Sequence, residues 1–93
     1  MNEHTSVKEW EAALRAEGFR RTYTWQDAPG AFYADHTHPV DTAHIVLEGE
    51  MTLTCNGVTA TYKAGDRAPD VPAGAIHSAR IGNRGCRYLI GEK

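Results

Sequence analysis

The amino-acid sequence predicts an all-β domain with one N-terminal α-helix. The first observation is a helical repeat of apolar residues near the N-terminus. The second is a series of short strand-like segments separated by turns rich in Gly, Pro and Asn, which is typical of a β-sandwich or a small barrel. With 93 residues, a single domain over 1–93 is expected. We place the helix at about 6–17 and the barrel at about 19–91.

The predicted helix has both a start and a stop signal. Ser6-Val7-Lys8-Glu9 has the form of a capping box, with Ser6 at the N-cap and Glu9 three residues later. Val7, Trp10 and Leu14 form an apolar stripe at helical spacing, and Gly18 is suited to end the helix. We therefore expect this stripe to pack against the outside or one mouth of the barrel.

The strands follow one another with short connections. They are expected at residues 21–25, 31–34, 43–48, 51–55, 58–63, about 76–81 and 87–90. Asn56-Gly57 predicts a type I′ hairpin turn, because that turn needs positive φ at both central positions. Gly82-Asn83-Arg84-Gly85 is expected to be a loop between the last two strands.

Composition excludes several function classes. The formal net charge is −2, whereas nucleic-acid binders usually carry a clear basic excess, so no nucleic-acid partner is expected. No apolar run reaches membrane-spanning length, and Met1-Asn2-Glu3-His4 does not begin a signal peptide, so we expect a cytoplasmic protein without a membrane partner. Cys55 and Cys86 are expected to be free thiols within strands.

Histidines supply the strongest chemical signal. Of five histidines, four lie between positions 36 and 77, while His4 is interpreted as part of the terminal tail. In His36-Thr37-His38 the two imidazoles lie on the same face of a strand, so both can reach one point. Imidazole is a common ligand of transition metals, although two surface histidines on a polar strand would give the same pattern.

Two motifs together resemble those of the cupin superfamily. The first reads Gly30, five residues, His36-Thr37-His38, three residues, Thr42, six residues and Gly49. The second reads Gly65-Asp66 followed by Pro72-Ala73-Gly74-Ala75-Ile76-His77. The resemblance implies a small cupin or jelly-roll barrel that holds one divalent transition metal through His36, His38 and His77. Fe, Mn, Ni, Zn and Cu are all compatible with such ligands.

The sequence departs from the cupin pattern at the fourth ligand. The family usually has a glutamate where this chain has Thr42, and a neutral threonine is a poor metal ligand. His44 shares the strand face of Thr42, so it is a candidate fourth metal ligand, a catalytic base beside the metal, or a hydrogen-bonded interior histidine. Asp41 is either a hydrogen-bond partner of an imidazole or a plain turn aspartate. Asp35 has the wrong parity to share the face of His36.

Strand parity also predicts the surroundings of the histidines. The residues expected to point inward form a largely apolar set: Phe32, Ala34, Val46, Ala79 and Ile81. Tyr62 and Tyr88 are further candidates for the lining. Parity therefore predicts a largely apolar cavity around the metal, and the resemblance implies a small organic ligand or substrate there.

The resemblance implies a metal-dependent enzyme of the dioxygenase, isomerase or lyase type, with His44 as the candidate catalytic residue. The alternatives are a non-catalytic cupin that binds or senses a small ligand, and a structural barrel that binds metal only adventitiously. A homodimer is also expected, formed through strand edges near the N-terminus, where Tyr23 and Trp25 expose apolar surface.

Overall fold

The structure is a computed structural model that describes residues 6–93, so His4 lies outside the described residues. It contains one helix and five strands, all paired antiparallel. In chain order they are α1 (Val7–Ala16), β1 (Arg21–Asp27), β2 (Phe32–His36), β3 (Thr42–Cys55), β4 (Val58–Lys63) and β5 (His77–Glu92). The predicted fold class, an all-β barrel with one N-terminal helix, is confirmed. Within the described residues no helix is long and apolar enough to span a bilayer.

The helix begins with the predicted capping box and packs on the outside of the sheet. The Glu9 amide donates to Ser6 Oγ at 3.1 Å, and the Ser6 amide donates to Glu9 Oε1 at 3.0 Å. These two bonds satisfy donors that the first turn leaves free. Leu14 is fully buried against a cluster completed by Phe19, Ala43, Ile45 and Leu89. The apolar stripe therefore covers the outer face of β3 and β5.

The sheet is organised by two long strands, β3 and β5. Residues 42–49 of β3 pair with residues 86–92 of β5, and residues 51–55 pair with residues 77–81. In the sheet, β1 pairs with the second half of β5, β2 pairs with its first half, and β4 pairs with the second half of β3. Both halves of the long strands β3 and β5 contribute residues to one inner core. Its buried members are Val46, Met51, Leu53, Ala68, Ile81, Cys86 and Tyr88.

The sequence prediction divided each long strand into two, and the structure corrects this. Residues 82–85 continue β5 instead of forming a loop, and residues 42–55 form one strand with irregular pairing between Val46 and Glu48 and between Gly49 and Met51. Gly49 has φ +77°, and a Cβ there would lie 2.0 Å from the carbonyl oxygen of Gly85. The irregular pairing of β3 with β5 around Gly49 is here called the bend of the two long strands. It depends on a close backbone approach that only glycine permits.

The predicted hairpin between β3 and β4 is confirmed. Asn56 and Gly57 have φ values of 53° and 78°, as a type I′ turn requires. On the surface of this hairpin, Thr52 pairs with Thr61 and Thr54 with Thr59 through hydroxyl hydrogen bonds of 2.8 and 2.9 Å.

Candidate metal centre and ligand cavity

Three histidines from separate parts of the fold converge at one point. His36 ends β2 and pairs in register with His77, which begins β5, while His38 lies in the segment that follows β2. One nitrogen from each ring lies within 4.8 Å of the others. The ring centroids are 4.2 Å apart for His36 and His77, and 5.0 and 4.9 Å from His38 to each of them. The structure thus brings together the three histidines of the two sequence motifs.

Backbone carbonyls fix the orientation of two of these rings. His36 Nδ1 lies 2.7 Å from the Ala34 carbonyl oxygen, and His77 Nδ1 lies 3.2 Å from that of Ala75. A carbonyl can only accept, so Nδ1 carries a proton in both rings, and in the neutral form of each ring the free lone pair is on Nε2. This is the usual arrangement of a histidine that ligates a metal through Nε2.

The electrostatics of the cluster favour neutral imidazoles. Burial lowers the pKa of His38, and the neighbouring rings of His77 and His36 lower it further. Burial also lowers the pKa of His77, although the hydrogen bond to Ala75 opposes this shift. Three converging imidazoles are a donor set suited to a divalent transition metal, so the residues present fit such an ion.

The segment that carries His38 is tied to the turn that delivers His77. The Gly74 amide donates to the His38 carbonyl at 2.9 Å, and the Ala73 amide donates to Asp41 Oδ1 at 2.8 Å. Asp41 therefore contacts a backbone amide instead of an imidazole. Its carboxylate holds the two motifs together.

Thr42 uses its hydroxyl locally. The side chain is buried, and Oγ1 donates to the Val40 carbonyl at 3.2 Å. The position at which the cupin pattern has a glutamate thus carries a group that already has a hydrogen-bond partner.

His44 lies on the wall of a cavity that the three histidines also line. Its side chain is 8% exposed, and its Nδ1 has no hydrogen-bond partner among the described residues. Burial, followed by the neighbouring histidines, lowers the pKa of His44 to about 4, so the ring is neutral near pH 7. His44 is not part of the group whose ligand atoms lie within 4.8 Å of one another, and its ring lies 6.2 Å from that of Tyr88. It is therefore a neutral imidazole that faces the cavity.

The cavity has a volume of about 640 Å³ and a mixed lining. Beyond the four histidines, aromatic and apolar side chains form most of its wall: Tyr23, Trp25, Tyr33, Met51, Leu53, Ala79, Tyr88 and Ile90. Arg21 and Thr24 complete the lining. A space of this size accommodates a small organic molecule.

The lining differs from the prediction in β2. Phe32 is 56% exposed and Ala34 is also exposed, whereas Tyr33 lines the cavity. The pairing of β2 with β5 shifts between Tyr33 and His36. Because simple alternation of side chains fails across this bulge, Tyr33 and His36 both line the cavity. Of the other predicted residues, Ala79 and Tyr88 line the cavity, Val46 and Ile81 lie in the inner core, and Tyr62 packs against that core.

The sequence analysis did not identify Asp27, which lies beyond the strand predicted at residues 21–25. Asp27 Oδ2 accepts a hydrogen bond of 2.7 Å from the Tyr88 hydroxyl, while Oδ1 accepts from the Tyr33 hydroxyl and, at 3.1 Å, from Trp25 Nε1. The carboxylate thus joins β1, β2 and β5. One signal was available, because Asp27 shares strand parity with Tyr23 and Trp25 and is a charged residue on their face.

Comparison with known proteins gives a consistent family match. A family profile described as Cupin domain matches residues 23–90. A search of curated proteins found no match.

Among solved structures, a cupin-2 domain-containing protein from Shewanella frigidimarina has a TM-score of 0.64 at 22% identity, over 76% of this chain and 67% of that one. The DMSP lyase DddQ from Ruegeria pomeroyi has a TM-score of 0.70 at 25% identity, over 77% of this chain and 36% of that one. An oxalate decarboxylase from Bacillus subtilis has a TM-score of 0.70 at 19% identity, over 77% of this chain and 20% of that one. The chain therefore spans only a minor part of these two enzymes.

Proposed function

This chain belongs to the cupin family, and we propose that it binds one divalent transition metal through His36, His38 and His77 and acts on a small organic molecule in the adjoining cavity. The observation that carries the proposal is the convergence of three imidazoles on the wall of a cavity of about 640 Å³. The proposed reaction is of the lyase, isomerase or dioxygenase type. The similarity to a lyase and a decarboxylase supports an enzyme of this general kind.

Different residues would hold the metal, contact the ligand and orient the imidazole rings. A bound metal would supply Lewis-acid or redox chemistry at the histidine cluster. Met51, Leu53, Ala79 and Ile90 contact the body of the ligand and exclude water from it. The hydrogen bonds of the His36 and His77 rings to backbone carbonyls keep Nε2 free for the metal.

His44 is the proposed proton-transfer residue. It is neutral near pH 7 and lines the cavity, and its Nδ1 has no partner among residues 6–93. A neutral imidazole that lines the cavity can accept a proton from a ligand or return one to it. The competing assignment is that His44 completes the metal shell as a fourth ligand.

A second candidate function is a non-catalytic cupin that binds or senses a small ligand. One observation favours it, because most polar groups on the cavity wall already have partners. Tyr23 donates to Glu92 at 2.8 Å, and Tyr33 and Tyr88 donate to Asp27. This leaves His44 as the main candidate for acid–base chemistry. Ligand turnover by the metal-loaded protein separates the two functions.

Metal binding is the decisive test. Untagged protein is stripped with a chelator and titrated with Mn(II), Fe(II), Ni(II), Cu(II) and Zn(II) by calorimetry under anaerobic conditions. We expect one equivalent to bind, and we expect His36→Ala or His77→Ala to weaken binding by at least about 100-fold. Thr37→Ala is the matched control, because Thr37 lies between two of the proposed ligands and is exposed. Equal binding by the histidine variants and the control would refute the site.

We also propose a homodimer and a cytoplasmic location. Within the described residues β1 pairs only with β5, so its other edge is free to pair with a second copy of the chain. Cys55 and Cys86 are both free thiols, which suits a reducing compartment. Light scattering at several protein concentrations tests the dimer, and a monomer at high concentration would contradict it.

A further inference from the structure

Asp27 is a partly buried carboxylate without a cationic partner in the described chain. It accepts hydrogen bonds from Trp25, Tyr33 and Tyr88, but no Lys or Arg nitrogen of residues 6–93 lies within 4.0 Å of it. The ion pairs of the described residues use other carboxylates: Glu17, Glu48, Asp70 and Glu92. Because removing a carboxylate from water is costly, such a group attracts a positive charge from elsewhere.

The three aromatic residues bonded to Asp27 form a continuous part of the cavity wall, here called the aromatic wall. Their O–H and N–H groups are all donated to the carboxylate. Burial and the hydrogen bond to Asp27 raise the pKa of Tyr33 and Tyr88, so both remain neutral phenols that donate their O–H groups to the Asp27 carboxylate. The wall therefore has no spare donor for an anion. The faces of its rings are electron-rich, and the Asp27 carboxylate lies at the ring edges that carry these O–H and N–H groups.

Elsewhere in this protein, cations of the chain itself cover aromatic faces. Four such contacts occur within the described residues, at 4.8–6.0 Å from the ring centroids: Arg21 over Tyr23, Arg80 over Phe32, and Arg67 and Lys93 over Phe19. Trp25, Tyr33 and Tyr88 have no such contact with a Lys or Arg of residues 6–93. The aromatic wall thus combines rings suited to a cation with a carboxylate that lacks one.

The aromatic wall lies close to the proposed metal centre. The Tyr33 ring is 6.4 Å from that of His36, and the Tyr88 ring is 6.2 Å from that of His44. One small molecule can therefore contact the wall and the histidine cluster together. Imidazole ligands carry no negative charge, so three of them would leave the charge of a divalent ion uncompensated, and the part of the ligand facing them is favoured to be anionic.

We propose that Trp25, Tyr33 and Tyr88, backed by Asp27, form a subsite for the positively charged nitrogen of a small zwitterionic ligand whose anionic oxygen end faces the three histidines. The inference rests on the proposed function for the orientation of the ligand, but the subsite itself needs no metal. It assigns Asp27 a part in specificity as well as in joining the strands.

The test compares two carboxylates of the same shape. Glycine betaine and 3,3-dimethylbutanoate differ in that a charged nitrogen replaces a neutral carbon. Zn(II)-loaded protein labelled with ¹⁵N is titrated with each, and the indole N–H signal of Trp25 is followed by NMR. Trp10 packs against the cluster that contains Leu14 and Phe19 and does not line the cavity, so its indole signal is an internal control. We expect glycine betaine to bind at least about tenfold more tightly.

Two variants identify the source of the preference. Asp27→Asn keeps a hydrogen-bond acceptor but removes the charge, and we expect it to bring the two affinities within about twofold. Trp25→Leu, at a half-exposed position, removes one ring and should have a similar effect on the ratio of affinities. It replaces Asp27→Asn in the test if that variant does not fold. A purely structural role for Asp27 would change the unfolding midpoint without changing the ratio of affinities.

Several results would overturn the inference: equal or tighter binding of 3,3-dimethylbutanoate, no saturable shift of Trp25 with either compound, or an unchanged ratio in both variants. A separate titration of metal-free protein with tetramethylammonium tests the aromatic wall alone, with Trp25 expected to shift and Trp10 not. If tetramethylammonium binds but Zn(II) does not, the proposed metal function fails and the subsite stands. If Zn(II) binds but betaine is not preferred, the subsite alone fails.

Discussion

Replacing Gly49 by alanine tests whether the bend of the two long strands depends on close backbone contact. The added Cβ would lie 2.0 Å from the Gly85 carbonyl oxygen and 2.9 Å from its carbonyl carbon. Both are backbone atoms, so β3 and β5 must separate to admit the methyl group. Such overpacking costs typically about 1–3 kcal/mol. The positive φ of +77° adds about 1–2 kcal/mol for any residue with a Cβ. The expected loss of stability is therefore about 2–5 kcal/mol.

Gly57→Ala is the matched control. Gly57 has φ +78°, nearly the same as Gly49, but no atom lies within 4 Å of the position of an added Cβ. It should lose only the backbone term of about 1–2 kcal/mol. Urea unfolding followed by circular dichroism gives the free energy of unfolding of both variants, analysed with one shared dependence of that free energy on urea concentration. If the two variants lose the same free energy within about 0.5 kcal/mol, the close approach of the strands does not stabilise the bend.

Three further predictions concern the helix, the cavity and the thiols. Leu14→Ala should cost about 2–5 kcal/mol in urea unfolding, because Leu14 is fully buried; a loss below about 1 kcal/mol would mean that the helix does not dock on the sheet. His44→Ala should abolish turnover, or weaken ligand binding, while Zn(II) affinity measured by calorimetry changes less than about tenfold; a larger loss would make His44 a metal ligand. A disulfide reagent at pH 8 should modify half-buried Cys55 and spare Cys86 until the protein unfolds, since burial raises the pKa of Cys86 to about 11; two equally fast thiols would contradict this.

Local patterns in the sequence were sufficient to predict the fold class, the start of the helix and the hairpin turn. The capping box of Ser6 and Glu9 and the turn at Asn56-Gly57 depend on residues adjacent in the chain, so their physics is readable without a tertiary structure. The convergence of His36 and His38 with His77 was predicted through the resemblance to a family, because spacing alone does not bring distant segments together.

Features that depend on tertiary contacts were not predicted. The glycines at 82 and 85 were interpreted as a loop, although the long strand continues through them and needs their small size at the bend. The inward position of Tyr33 depends on a bulge that strict alternation cannot anticipate. The function of Asp27 depends on Tyr33 and Tyr88, which lie 6 and 61 residues away in the chain.

The central position of β5 has a consequence for the order in which the protein assembles. This strand pairs with β1, β2 and β3, and its partners include residues up to 71 positions earlier in the chain. Of the described strands, only the hairpin of β3 and β4 can pair before β5 is synthesised. Pairing between such distant segments makes folding slow, because the entropy of closing long loops is lost before the contacts form. His77 begins β5, so a nascent chain that has not yet emerged beyond β4 carries His36 and His38 without the third histidine. The complete histidine cluster forms together with the sheet.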